Sequence, residues 1–362
     1  MKIVLDNVIY SNESGGGVSN YWFELSKFLM NNQADQVLFY EDSYAMSNFH
    51  RKQLDISESQ IISDLSPKKS SIIRKFSRVN VASEEHYLFH SSYYRLPAKT
   101  ENVSQVTTVH DFTHNYFASA AKRILHNNIK YKSLRQSDGI ICISENTYND
   151  LKKFCPPANN QKVAIIHNGV SDDYKVLEKD EKNRKYLTDI NVNSPYLLYV
   201  GSRVHYKNFS FVASLLKEMP DMTLVIVGGK LSQQEQKLFG QEALSRTTTL
   251  NNVSNFDLNI LYNFAHAFIY PSSYEGFGIP IIESMRAGCP ALALNNSSIG
   301  EIAGNAGILF DHIDVRAFKN AIENLSEKSF RDEVVAKGLA HSAQFSWEKC
   351  GRETHDFYTS VY

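Results

Sequence analysis

Apolar positions along the chain fall into short blocks separated by stretches of helical spacing. Residues 2–8, 37–40, 139–143 and 163–166 read as strands and 87–90 and 105–110 as candidate strands, each of a length that crosses a sheet once. Between them lie amphipathic segments. Val18, Tyr21, Trp22, Leu25, Phe28 and Leu29 share one face of a helix that follows the glycine-rich turn Gly15-Gly16-Gly17. Residues 120–135 read as another helix, and Ser144 with Glu145 opens a third as an N-cap and an acidic first turn. Such alternation predicts a parallel α/β unit. Residues 42–80 are polar and irregular and predict no regular element.

The pattern lapses over residues 171–195, which are charged and polar and read as a linker. It then restarts. Residues 196–200, 223–227, 267–270 and 290–294 predict strands. Residues 208–217, 233–241, 315–325 and 330–341 predict helices, and Ser254 caps a further short one. Pro280 fits the first turn of a helix after the loop 271–278, where a missing N–H costs nothing. The expected organisation is one α/β domain over 1–175, a second over 176–345 and a closing helix over 346–362. A chain of 362 residues exceeds what one core holds, which agrees with two domains.

Composition narrows the class only a little. A net charge of −1 provides no field for nucleic acid, so any basic patch is local. Cys142, Cys155, Cys289 and Cys350 form no C-x-x-C pair and predict neither a disulfide framework nor a zinc site. The opening MKIVLDNVIY reads as a strand rather than a signal peptide, and no apolar run reaches the ~20 residues that span a bilayer. The expectation is a cytoplasmic protein.

Ligands of parallel sheets bind outside the carboxyl ends of strands, on strand-to-helix loops. The most informative such loop is Pro271-Ser-Ser-Tyr-Glu-Gly-Phe-Gly-Ile-Pro-Ile-Ile-Glu283. Gly276 and Gly278 leave backbone N–H groups open to a ligand, and the helix start behind them favours an anion. Glu275 and Glu283 can accept hydrogen bonds from sugar hydroxyls. The same residues also suit a plain turn followed by a dipole-favoured acid in the first helical turn. Residue chemistry alone leaves the two readings level.

Tyr274–Glu283 with Ala287-Gly-Cys-Pro290 resembles the E-x7-E signature of retaining glycosyltransferase family 4. That resemblance implies the GT-B fold, two Rossmann-like doubly wound parallel-sheet domains facing across a cleft. It implies that Glu283 binds the donor ribose. Glu275, with the amides of Gly276, Phe277, Gly278 and Ile279, would hold the donor sugar. Val200-Gly201-Ser-Arg203-Val-His-Tyr-Lys207-Asn208 is similar to the family's diphosphate-binding loop, with Gly201, Arg203 and Lys207 at the leaving group. Gly16 and Gly17 resemble the family's glycine-rich donor or acceptor loop. His110, at a strand end, falls where the family often places a histidine at the reaction centre. Asp111 would orient it or contact the acceptor. The catalytic set implied is His110, Arg203, Lys207 and Glu275. Ser144-Glu-Asn-Thr147 and Phe345-Ser-Trp-Glu348 are further points of similarity, the latter opening a helix that crosses back to the first domain.

No Asp-x-Asp motif occurs, so fixed cations rather than a metal are expected to stabilise the departing diphosphate, and no cofactor is expected. The resemblance implies retention of configuration by front-face displacement. The expected partners are a nucleotide-sugar donor, GDP-mannose before a UDP-sugar, and a glycan or lipid-linked saccharide acceptor of surface polysaccharide synthesis. The basic set Lys68, Lys69, Arg74, Lys75 and Arg78 is an expected contact with the inner face of a membrane, or else a solvated charged segment. Lys122, Arg123, Lys130, Lys132 and Arg135 would extend it. The rival readings are a nucleotide-sugar epimerase or phosphorylase on the same fold and a non-catalytic nucleotide-sugar-binding subunit. A nicotinamide-dependent oxidoreductase is set aside because the first loop lacks G-x-G-x-x-G.

Overall fold

The computed structural model describes residues 1–32, 35–64, 71–98, 101–178, 180–192 and 195–362, with backbone alone for 71–73 and 182. The chain divides into two compact units, Met1–Gly169 with Trp347–Tyr362, and Val170–Ser346.

The first unit is built on seven parallel strands: β1 (Lys2–Asp6), β2 (Gln36–Glu41), β3 (Ile61–Ser63), β4 (Tyr87–Ser91), β5 (Val103–Val109), β6 (Gly139–Cys142) and β7 (Lys162–Ile165). Their order is β3-β2-β1-β4-β5-β6-β7. The chain reverses direction of winding between β1 and β4, the place where such sheets open a crevice. The central strands are buried on both faces; β1 and β6 do so with mostly apolar residues, while β5 buries Ser104, Gln105, Thr107 and Thr108 as well. Beneath the carboxyl end of β1 lies a buried charged lattice. Arg95 pairs with Asp6 at 3.0 Å and Asp64 at 3.2 Å, and Arg51 donates two hydrogen bonds of 2.7 Å to Glu41. Asn7 bridges Glu41 (2.8 Å) and the indole of Trp22 (2.8 Å).

The last helix, Trp347–Val361, belongs to this unit. It packs on the helix Gly17–Asn31 so closely that a Cβ at Gly351 would lie 2.3 Å from Phe28. Tyr358 hydrogen-bonds buried His90 on β4.

The second unit has six parallel strands: β8 (Tyr196–Val200), β9 (Thr223–Val227), β10 (Thr247–Leu250), β11 (Ala267–Tyr270), β12 (Ala291–Leu294) and β13 (Ile308–Phe310). They run β10-β9-β8-β11-β12-β13, so the switch point lies between β8 and β11. Leu197, Tyr199, Leu224, Ile226 and Ile269 pack against Val212, Leu215 and Leu216 of the helix Phe209–Lys217 in one core.

Several expectations are corrected. The boundary lies after Gly169, not after residue 175, and Ser346 stays with the second unit. The stretch read as a linker is fastened. Asn259 accepts from the amide of Lys175 (3.1 Å), Asn263 accepts from that of Leu177 (2.7 Å), and Tyr174 is buried. The helix Glu181–Asp189, capped by Asp180, follows directly. β1 ends at Asp6, because Val8, Ile9 and Tyr10 bury as a helical turn instead. Residues 42–80 contain 3₁₀ turns, β3 and the helix Ser71–Phe76.

Candidate active site

In the second unit the loops after β8 and β11 flank the switch point and are tied to each other. Asn208, in the left-handed region at φ 51°, donates to the carbonyl of Pro271 (2.8 Å) and to Ser273 (2.7 Å). The amide of Ser273 donates to the carbonyl of Tyr206 at 2.7 Å. This brace holds Lys207 against Glu275, at 2.8 Å. The ammonium engages Oε1 of Glu275 as an ion pair, and the hydroxyl of Tyr270 also reaches this carboxylate. Gly201 has φ 131°, a conformation costly to L-residues, and a Cβ there would meet Nζ of Lys207 at 3.8 Å. Gly278, at φ 104°, ends the turn and caps the helix Ile279–Arg286.

The first carboxylate is positioned from a third element. Ser297 accepts a hydrogen bond from the amide of Glu275 (3.0 Å). Ser298 donates to the carbonyls of Glu275 and Phe277, each at 2.9 Å. The start of the helix Ser297–Ala303 therefore fixes the shape of the Gly-Phe-Gly turn. Neither serine was singled out in the sequence.

Arg203 is engaged differently from Lys207. Its Nε pairs with Glu235 at 2.7 Å and its Nη2 donates to the carbonyl of Lys230 at 2.8 Å. Gly228, just beyond β9, is forced by this crowding: a Cβ there would lie 2.9 Å from the carbonyl oxygen of Gly201 and 3.1 Å from the Arg203 guanidinium. Glu275, Lys207 and Gly201 thus meet in one place, while Arg203 stands beside them on the β9 side with a partner of its own.

Glu283 is the fifth residue of its helix, which corrects the first-turn reading and removes the dipole explanation for it. Burial pushes its pKa up to about 7, and the hydroxyls of Tyr262 (3.1 Å) and Tyr174 only partly counter that. Tyr174 comes from the segment read as a linker. No sequence motif marked it.

In the first unit His110 follows β5 and packs edge-on against Tyr21, with ring centroids 4.9 Å apart. Burial lowers its pKa to about 4; Asp111 opposes that and the Lys130 ammonium adds to it. The imidazole is neutral at pH 7. Asp111 does not orient it through a hydrogen bond among those described: its carboxylate accepts from the amide of Thr113 at 3.1 Å. Lys130 is fully buried, donates to the carbonyl of Asp111, and sits 3.5 Å over the Phe112 ring. Burial lowers its pKa to about 8. Gly16 and Gly17 are exposed, and Gly16 has extended backbone at φ 171°, so no left-handed turn requires it. It is crowded instead by the Glu13 carboxylate, which would lie 3.0 Å from a Cβ.

The basic cluster expected to face a membrane is not one surface. Arg74 is buried, donates to the carbonyl of Ser11 (2.8 Å) and lies 3.8 Å from Asp42, which removes it from that role. Lys68 and Lys69 lie outside the described residues. Among the described residues no helix is long and apolar enough to cross a membrane.

Two family models divide the chain between them. Residues 15–174 match Glycosyltransferase Family 4 and residues 179–338 match Glycosyl transferases group 1. The chain belongs to the family 4 glycosyltransferases. It is 29% identical to O-antigen chain mannosyltransferase B of Escherichia coli, over 75% of this chain and 74% of that protein. It is 25% identical to the serotype-specific mannosyltransferase WbdA of Escherichia coli over 77% of its own length, a match that spans only 37% of WbdA. The fold is GT-B. Sucrose-phosphate synthase from Thermosynechococcus elongatus superposes with a TM-score of 0.75 at 18% identity, covering 100% of this chain and 99% of the other. In this glycosyltransferase the Glu275–Glu283 loop and the Lys207 loop occupy the switch point of the second sheet.

Proposed function

We propose that this glycosyltransferase moves mannose from GDP-mannose to a growing surface saccharide, with retention of configuration and without a metal ion. The observation that carries the reading is the Lys207–Glu275 pair beneath Gly201, a cation and a carboxylate held together at the switch point, with Glu283 on the following helix. The names of the O-antigen mannosyltransferase relatives support the sugar and the product class.

In this reading Glu275 accepts hydrogen bonds from the mannose hydroxyls, and Glu283 accepts them from the ribose. The acceptor hydroxyl attacks the anomeric carbon as the bond to the diphosphate oxygen breaks. The hydroxyl proton passes to that departing oxygen. Lys207 turns its charge from Glu275 toward the leaving diphosphate, and Arg203 adds its own. His110 donates a hydrogen bond as a neutral imidazole to the sugar or the phosphate. The metal-free reading is supported by the chemistry of these cations.

Radiolabelled GDP-mannose incubated with a mannose-terminated oligosaccharide, in buffer containing a chelator, should yield an α-linked product. Glu275→Gln should lower that rate about 100-fold or more. Transfer from UDP-glucose alone would overturn the donor assignment. A requirement for added divalent metal would overturn the metal-free step.

A further inference from the structure

The first unit contains a small basic pocket that the proposed reaction does not use. It is a cavity of about 120 Å³ between the end of the helix Ser71–Phe76 with the two residues after it, the 94–96 turn and the helix Ala120–Gln136. Lys75, Arg78 and Lys132 supply its charge, and no carboxylate residue lines it. Among the described residues none of the three forms an ion pair. Arg78 spends one nitrogen on the carbonyl of Pro97 at 2.9 Å, and Lys75 lies 4.2 Å over the ring of Tyr93. Arg95 reaches the wall but is already neutralised by Asp6 and Asp64.

Partial burial lowers the pKa of Lys75, an effect that Glu13 opposes and Arg74 reinforces. A partly desolvated cation beside two more, whose acidic neighbour Glu13 neither lines the pocket nor forms an ion pair with it among those described, gains from taking an anion. The pocket also has a place in the site. Tyr94 lines it, is held in the left-handed region at φ 58°, and bonds the backbone of His110 on its other side. A non-glycine residue in that conformation is over-determined by its surroundings. The pocket is therefore one aromatic ring away from the histidine assigned to the reaction centre.

We propose that Lys75, Arg78 and Lys132 form a phosphate subsite for the acceptor, so that the saccharide elongated is one carrying a phosphate or diphosphate. This rests on the transferase reading above. Three cations on two segments, Lys75 and Arg78 on one and Lys132 on the helix Ala120–Gln136, suit the several oxygens of a phosphate better than the two coplanar oxygens of a carboxylate.

The test is calorimetric titration of inorganic pyrophosphate into the full chain. It is made on protein saturated with GDP and on the Lys207→Ala protein, so that the nucleotide loops do not supply the signal. Binding should be present in both and fall about tenfold or more in an Arg78→Ala/Lys132→Ala variant. Lys132→Glu alone, at an exposed position, should weaken it similarly. Pyrophosphate that fails to bind, or binds all variants alike, overturns the subsite. Sedimentation with phosphatidylglycerol vesicles that depends on Arg78 and Lys132, without pyrophosphate binding, assigns the pocket to a membrane headgroup and also overturns it. A protein that binds pyrophosphate in this way but never binds GDP sinks the donor reading and leaves the phosphate site standing.

Discussion

Glu283 shows how a single side chain can report on ligand chemistry. Its carboxyl has a pKa of about 7 because burial disfavours the charged form. Ribose hydroxyls donate, so they favour the ionised carboxylate. Nucleotide binding should then release about half a proton from this group at pH 7, and affinity should rise with pH through that value. Calorimetry in buffers of different ionisation enthalpy measures the release, and Glu283→Gln should abolish the part due to this residue. The stability linkage has the opposite slope. The native protein holds a proton here that the unfolded chain loses above about pH 4.3, so stability falls as pH rises from there to about 7. Thermal melts of Glu283→Gln should show a flatter pH profile over that window. Lys207 and Glu275 are coupled in another way. Lys207→Ala leaves Glu275 without its counter-charge, and transfer should fall about 100-fold. If that variant turns over normally, the assignment of Lys207 to the leaving group is wrong.

At the scale of elements, the site depends on backbone shapes that few residues adopt. Gly278→Ala forces an L-residue to φ 104° and should cost about 1–2 kcal/mol in denaturant unfolding. Arg95→Ala strands Asp6 and Asp64 in the interior and should cost about 3–5 kcal/mol, far more than an exposed charge would. Most strands of both sheets were legible as short blocks between polar turns, whereas β3, β10 and β13 were not, being three or four residues long and, in β10, mostly threonine. The Glu275–Glu283 loop was legible because glycines and carboxylates stand at fixed spacing after a strand. What the sequence concealed is long-range. Ser297 and Ser298 shape the loop from a helix more than twenty residues away, and nothing local distinguishes them from capping serines. Tyr174 was hidden by its charged neighbours, although an aromatic amid polar residues was a signal that the stretch packs somewhere. Val8, Ile9 and Tyr10 misled because a buried turn of helix and a buried strand look alike over three residues. Arg74 was grouped with surface cations because sequence proximity does not show which way a side chain points.

At the scale of the molecule, the chain begins and ends in the same unit. The helix Trp347–Val361 closes over Gly17–Asn31 and β6, with Phe357 where a Cβ at Gly139 would come within 2.8 Å. Deleting residues 347–362 should raise hydrogen exchange in β4, β5 and β6 while leaving β8 to β12 protected. Uniform loss of protection would show instead that the two units fold as one. The two sheets share the winding order that places ligand loops at a switch point, and the central claim concerns the second of them. Titration of GDP into the intact protein, and into Lys207→Ala and Glu283→Gln, tests that claim most directly. The account predicts saturable binding that weakens about tenfold or more in each variant. Absence of binding by any nucleoside diphosphate, or binding that neither substitution weakens, would contradict it.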